Sequence, residues 1–236
     1  MDPANFADRL VGRRITALAR RAKYLLFSLD SDDVLLVHLR MTGRLLLRPK
    51  GAAADPYTRV VIGLDCADEL RFADVRKFGR LLLLGRAEAE EKLASLGPEP
   101  LGEEFSAADM ARALGKRKAP VKSLLLDQTL LAGLGNIYAD EALFLGGIHP
   151  RRRADTLSAE DWQRLHRAVR RVLAEGIAHR GTSFRDYRDG RGEKGSHQES
   201  LNAYHRTGQP CPRCGRPIER IVVGGRSSHF CPACQS

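Results

Sequence analysis

The chain has 236 residues, 43% of them hydrophobic, which is enough for a substantial core and fits two domains with a small appendage. Lys and Arg outnumber Asp and Glu by 39 to 29, a net charge of +10 that favours a polyanionic partner. No stretch approaches the ~18 consecutive apolar residues of a membrane span, and Met1–Phe6 has no signal-peptide pattern, so membrane and secretory classes are set aside.

The first hundred residues read as strands. Ile15–Leu29 and Val34–Leu47 are rich in branched apolar side chains and are separated by the turn signal Asp30-Ser31-Asp32-Asp33. Val60–Leu64, Leu70–Phe72 and Leu81–Leu84 continue the pattern, with breaks at 65–69 and Gly79. Short strands with little helix predict a sandwich or barrel over residues 1–100. Three fragments interrupt it with charge. Arg20-Arg21-Ala22-Lys23-Tyr24 sets a basic cluster at a strand start. His38-Leu39-Arg40-Met41-Thr42-Gly43-Arg44 ends a strand in a turn bearing Met41. Asp74-Val75-Arg76-Lys77-Phe78-Gly79-Arg80 is a basic loop around an aromatic. A Met or Phe on a strand is ordinarily core; on turns among arginines it becomes a candidate wedge between bases.

From Ser106 the pattern turns helical. Ser106-Ala-Ala-Asp109 and Ser158-Ala-Glu-Asp161 each fit an N-cap followed by an acid in the first turn. The second opens a helix with Trp162, Leu165, Val169, Val172, Leu173 and Ile177 on one face, closing near Gly181. Between them, Lys118–Glu141 predicts two helices joined by a glycine turn, with Asn136 at the second helix's N-terminus. That position is either a simple helical hairpin or a phosphate site. Residues 181–200 have glycines at 181, 190, 192 and 195 and no apolar period, and predict a mobile loop of the kind that covers a site. The helical domain is thus expected over 101–204.

The last segment, 205–236, contains Cys211-Pro-Arg-Cys214 and Cys231-Pro-Ala-Cys234 around sixteen residues. Two such knuckles place four thiolates around one Zn²⁺, with a β-hairpin between them ending in Gly224-Gly225-Arg226. Two disulfides are the competing assignment, disfavoured by the two-residue spacing and the absence of secretory signals. Cys66 is left as a free thiol. Charge is uneven: residues 1–100 hold 17 basic and 14 acidic side chains, residues 101–236 hold 22 and 15. A basic C-terminal half beside a zinc hairpin points to nucleic acid.

Taken in order, RAKYLL, HLRMTGRL, DVRKFGR, AGLGNIYADEALF and CPRC…GGRSSHFCPAC resemble the bacterial formamidopyrimidine-DNA glycosylase family, relatives of endonuclease VIII, from about Leu10 to Gln235. The resemblance implies an α+β fold: a truncated N-terminal β-sandwich, a helix-two-turn-helix domain with a lesion-capping loop at 181–200, and a C-terminal zinc β-hairpin. It implies base-excision repair of oxidised purines in double-stranded DNA, with β,δ-elimination at the abasic site, by a monomer in the bacterial cytoplasm at the nucleoid. Cys211, Cys214, Cys231 and Cys234 would hold a structural zinc. Arg226, Lys122 and Asn136 would grip phosphates, Arg226 also serving the second elimination and Lys23 a proton transfer in the first. Met41, Arg76 and Phe78 would fill the space left by the extruded nucleotide, and Arg117 would contact DNA. Tyr57 stands where the family has a histidine at a DNA contact.

The family's nucleophile is an N-terminal proline followed by glutamate, its secondary amine attacking the sugar C1′. Here the sequence opens Met1-Asp2-Pro3-Ala4. The expectation is an incomplete chain lacking that pair, a helix and a first strand, which exposes a sheet edge and part of the core. Two other readings stay open: a protein that binds damaged DNA without cutting it, and a lyase using Lys23 or the Met1 amine. A zinc-ribbon protein acting on RNA is a further class, against which the Met41, Arg76 and Phe78 set argues.

Overall fold

The structure is a computed structural model that describes residues 3–53, 55–184 and 187–236. It divides into two compact units, residues 1–95 with 182–195, and residues 96–181 with 196–236. No helix among the described residues is long and apolar enough to cross a membrane.

The first unit is the expected β-sandwich. A short helix, α1 (Pro3–Leu10), precedes β1 (Ile15–Arg21), β2 (Tyr24–Leu29), β3 (Asp33–His38), β4 (Gly43–Pro49), β5 (Thr58–Gly63), β6 (Asp68–Asp74) and β7 (Arg80–Gly85). One sheet runs β1-β2-β3-β7 and the other β4-β6-β5, with antiparallel pairing throughout. Each of the two long strands read from the sequence is split by a turn. Ala22 (φ +51°) reverses the chain between β1 and β2, and Arg40 (φ +53°) lies between β3 and β4. The second is the turn bearing Met41 that the sequence predicts, whereas the reversal at Ala22 has no glycine or proline to announce it.

The runs DVLLVH and RLLLLG lack period-2 alternation because their sheet is covered on both faces. Phe27, Leu29, Leu35, Val37 and Leu83 face Phe72, Leu45, Val60, Ile62 and Leu70 of the other sheet. On the opposite face Val34, Leu36, Leu82 and Leu84 pack on Ala89 and Leu93 of helix α2 (Arg86–Ala94), an element the strand pattern did not predict. Strand β1 lies at one edge of its sheet and is exposed along nearly its whole length. Beside it, a cleft of about 1800 Å³ opens onto Phe27, Leu35, Leu83, Val60 and Ile62. Residues 182–195 join this unit: Leu47 N–H donates to the Gly190 carbonyl (2.8 Å) and Arg48 Nη1 to the Arg191 carbonyl (2.8 Å).

The second unit is helical and ends in a two-stranded hairpin. Helices α3 (Ala107–Leu114), α4 (Val121–Leu126), α5 (Asn136–Gly146) and α6 (Ala159–Ala178) surround Met110, Leu114, Leu125, Leu131, Leu134, Leu143, Trp162, Leu165 and Val169. Both expected capping boxes form, Ser106 with Asp109 and Ser158 with Asp161. Trp162 is buried as expected, but Ile177 in the last turn of α6 is exposed, so the apolar stripe ends a turn early. The link from α4 to α5 is stitched by Gln128. Its Nε2 donates to the carbonyls of Leu126 and Leu134 (both 3.0 Å) and its Oε1 accepts from Gly133 N–H (3.0 Å). Strands β8 (Glu219–Val223) and β9 (Arg226–Phe230) close the chain, joined by Gly224 and Gly225 at φ +55° and +74°. Two residues with positive φ are what a tight two-residue hairpin turn requires.

Candidate metal centre and nucleic-acid interface

The Sγ atoms of Cys211, Cys214, Cys231 and Cys234 all lie within 4.8 Å of one another. Cys211–Cys234 is 3.9 Å and Cys214–Cys231 is 3.4 Å. These separations exclude disulfides, whose sulfurs sit about 2 Å apart. They bracket the ~3.8 Å edge of a tetrahedron built with metal–sulfur bonds of about 2.3 Å. The knuckles are organised around the sulfurs. Arg213 N–H points at Cys211 Sγ (3.4 Å), and the Gln235 side chain ties Cys231 N–H (2.8 Å) to the Ile148 carbonyl (2.9 Å). Among thiols alone, burial and hydrogen bonds from Cys214, Cys231 and Cys211 push Cys234 up to about 12. A soft dication is the charge that lets all four ionise, and a closed four-thiolate set is a structural zinc site with no position left for water.

The hairpin carries Arg226 exposed at its tip, and the residues behind it are held from α4 and α5. Lys122 is fully buried. Its Nζ pairs with Asp140 Oδ1 (2.6 Å) and donates to the Ser227 carbonyl (2.6 Å) and Ser228 Oγ (2.7 Å). The ammonium thus has three acceptors within the protein and stands behind the hairpin tip rather than on the surface. Burial lowers its proton affinity and Asp140 opposes that. Asn136 is the first residue of α5, as read from the sequence. Its Nδ2 donates to the Ser227 carbonyl (3.1 Å), which turns the side chain toward the hairpin. The first turn of α5 contains no acid, so the positive end of the helix is uncompensated within it. Arg117 is exposed on the turn after α3, its carbonyl accepting from Asp155 N–H (3.1 Å).

In the first unit the structure brings Met41, Arg76 and Phe78 together. Arg76 Nη1 lies 3.4 Å from Met41 Sδ, and its guanidinium stands 4.7 Å over the Phe78 ring. Met41 and Phe78 are 62% and 50% exposed, large apolar groups held in water on two turns. Asp74 holds those turns and was not singled out from the sequence. Fully buried, it accepts from the Thr42 hydroxyl, from Arg76 N–H (3.2 Å) and from Gly79 N–H (2.7 Å). Burial raises its pKa, but the donors of Thr42, Gly79, Arg76 and Phe78 outweigh it and leave the carboxylate below its usual value. Tyr57 is exposed; its carbonyl accepts from Asp74 N–H (2.9 Å) and its own N–H donates to Asp55 Oδ1 (2.8 Å).

Lys23 lies exposed on the β1–β2 turn, within electrostatic reach of His38. Burial first, then Arg40, Lys23 and Arg80, lower His38 to about 4. His38 Nδ1 accepts from Arg40 N–H (3.0 Å), which fits a neutral ring. Asp140 and Glu141 were also overlooked as site residues. Glu141 accepts from the backbone N–H groups of Asn202, Ala203 and Tyr204, each at 2.8 Å. Two adjacent acids inside the otherwise apolar run NIYADEALFLG were the available signal, since buried carboxylates need such partners.

Three family models match in order: the formamidopyrimidine-DNA glycosylase N-terminal domain over residues 1–81, its H2TH domain over 96–188, and the zinc finger found in FPG and IleRS over 208–236. The formamidopyrimidine-DNA glycosylase of Herpetosiphon aurantiacus is 50% identical over 99% of this chain and 86% of its own length. That of Moorella thermoacetica is 55% identical over 93% of this chain and 81% of its own. The crystal structure of the MutM (Fpg) protein from Thermus thermophilus superposes with a TM-score of 0.87 at 47% identity, covering 95% of this chain and 84% of that one. The Lactococcus lactis Fpg in complex with DNA containing an abasic site gives 0.92 at 36% identity, covering 99% and 86%. With a sandwich, a helix-two-turn-helix unit and a four-cysteine hairpin in the same order as these proteins, the chain belongs to the formamidopyrimidine-DNA glycosylase family.

Proposed function

We propose that this chain acts in base-excision repair on damaged double-stranded DNA, as a glycosylase that removes oxidised purines such as 8-oxoguanine and formamidopyrimidines. It then cleaves the abasic strand by β- and δ-elimination. The observation that carries this reading is the Met41–Arg76–Phe78 cluster: an apolar, a cationic and an aromatic side chain in mutual contact and exposed on turns braced by Asp74. Extruding a nucleotide costs a few kcal/mol, and an inserted wedge that stacks and hydrogen-bonds in its place offsets that cost. Homology to proteins solved with abasic-site and Fapy-dG DNA supports the same assignment.

Placement supports the roles that the family resemblance implies. Arg226, exposed and backed by Lys122 and Asn136, meets a backbone phosphate, as do Arg117 and the first turn of α5. Lys23 supplies a cation beside the neutral His38, suited to moving a proton in the elimination. Tyr57 lies against DNA next to the braced turns. In the chemistry the resemblance implies, a secondary amine attacks C1′ and gives up its proton, the C1′–N bond breaks as the base leaves with a proton, and protonation and opening of the C1′–O4′ bond gives a Schiff base that borohydride reduces.

Duplex DNA bearing 8-oxoguanine, incubated with borohydride and with the chain preceded by the Pro-Glu start that the family resemblance implies, tests the reading. A covalent adduct together with strand cleavage is expected. Preferential binding to abasic-site duplex with neither product would establish the competing reading, a binder of damaged DNA without chemistry. No preference for damaged over intact duplex would reject both.

A further inference from the structure

We infer that Asp140 is a positioning residue for the hairpin tip, holding β9 through the Lys122 ammonium and the His229 imidazole so that Arg226 keeps a fixed register against α5. The inference rests on the reading of Arg226 as a phosphate contact.

Asp140 lies one helical turn beyond Asn136 on α5, so both side chains project from the same face. Its Oδ2 accepts from the His229 backbone N–H (2.9 Å) and lies 2.9 Å from His229 Nδ1. Its Oδ1 pairs with Lys122, which in turn holds Ser227 and Ser228. Asn136 is the second donor to the Ser227 carbonyl. The three residues that follow Arg226 are therefore each fastened to α4 or α5. Tyr204 closes the far side, edge-on to His229 with ring centroids 4.9 Å apart. The turn is pressed onto the same support, since a Cβ at Gly224 would lie 2.7 Å from Ser123 Oγ.

A buried Lys–Asp pair is a poor way to gain stability, because desolvating both charges costs about what their attraction returns, and well-packed apolar replacements are often as stable or more so. What such a pair supplies is a geometry that other arrangements cannot satisfy. Here that geometry belongs to the strand carrying the exposed arginine, and the four cysteines fix only the opposite end of the same hairpin.

The test uses the full chain with zinc and a duplex bearing a tetrahydrofuran abasic analogue. Lys122→Met/Asp140→Leu removes both charges together, and Asp140→Asn serves as the second variant should the first fail to fold. Expected are unchanged zinc content, a melting temperature close to the parent's for the double variant, and DNA affinity reduced about tenfold. The slope of log K against log salt should fall by about 0.9, the signature of one lost phosphate contact. Combined with Arg226→Ala, either variant should add little to the loss from Arg226→Ala alone. Parent-like affinity in a folded, zinc-loaded variant, or losses that add in full, would overturn the inference. Unchanged binding by Arg226→Ala alone would reject the phosphate-contact reading and the inference with it.

Discussion

The guanidinium of Arg76 stands over the ring of Phe78, 4.7 Å from its centroid, while its Nη1 lies 3.4 Å from Met41 Sδ. The pairing orders an aromatic ring that would otherwise sample several rotamers in water. At an exposed site the cation–π contact itself is worth roughly 0.5–1 kcal/mol. Phe78→Ala is therefore expected to weaken binding to an abasic-analogue duplex by about tenfold, the scale of one lost base–aromatic stack. Arg76→Ala should cost a similar factor, part of it by freeing Phe78. Fluorescence anisotropy titrations at fixed salt check both.

Asp74 should matter through the turns it braces. Its folded pKa is depressed, so its contribution is present above the unfolded value and is lost as pH falls through the folded one. Asp74→Asn is expected to cost about 2 kcal/mol at neutral pH, as donors lose a buried carboxylate. The difference from the parent should narrow below about pH 4. Hydrogen exchange of peptides spanning 74–80, measured at pH 7 and at pH 3.5 with rates corrected for pH, reports it.

His38 gives a second pH signature. With a folded pKa of about 4 against an ordinary 6.5, it favours the folded chain above pH 6.5, and that contribution falls away as pH drops from 6.5 to 4. The loss is of order 2 kcal/mol once solvent screening is allowed for. Since Lys23 is one of the cations holding it down, Lys23→Ala should move the His38 titration midpoint upward in an NMR titration. An unmoved midpoint would place Lys23 away from His38.

Metal removal should act on the second unit. A chelator is expected to release one zinc per chain, monitored with a chromogenic zinc indicator, and to raise exchange across residues 208–236. Cys214→Ser should do the same without chelator, because three thiolates no longer complete the tetrahedron.

Much of this was legible in the residues. The capping boxes at Ser106 and Ser158, the four-cysteine hairpin and the burial of Trp162 all follow from local chemistry. Other features depend on tertiary context. The turn at Ala22 adopts positive φ without glycine, held by its surroundings, so the strand break it makes carries no local mark. Lys122 reads as a surface cation until its acceptors are brought to it: Asp140 from the next helix and two serines more than a hundred residues away in the chain. Gly190 and Arg191 follow a helix in sequence yet bond to β4, a partner no periodicity could name.

The central claim is that one cluster of side chains recognises the space left by an extruded nucleotide. A competition between abasic-analogue and intact duplex, run with the parent and with Met41→Ala/Arg76→Ala/Phe78→Ala, tests it most directly. The account predicts that the parent prefers the abasic duplex at least tenfold, and that the triple variant loses this preference while binding intact duplex within about threefold of the parent. A triple variant that keeps its preference for the abasic duplex would contradict the account.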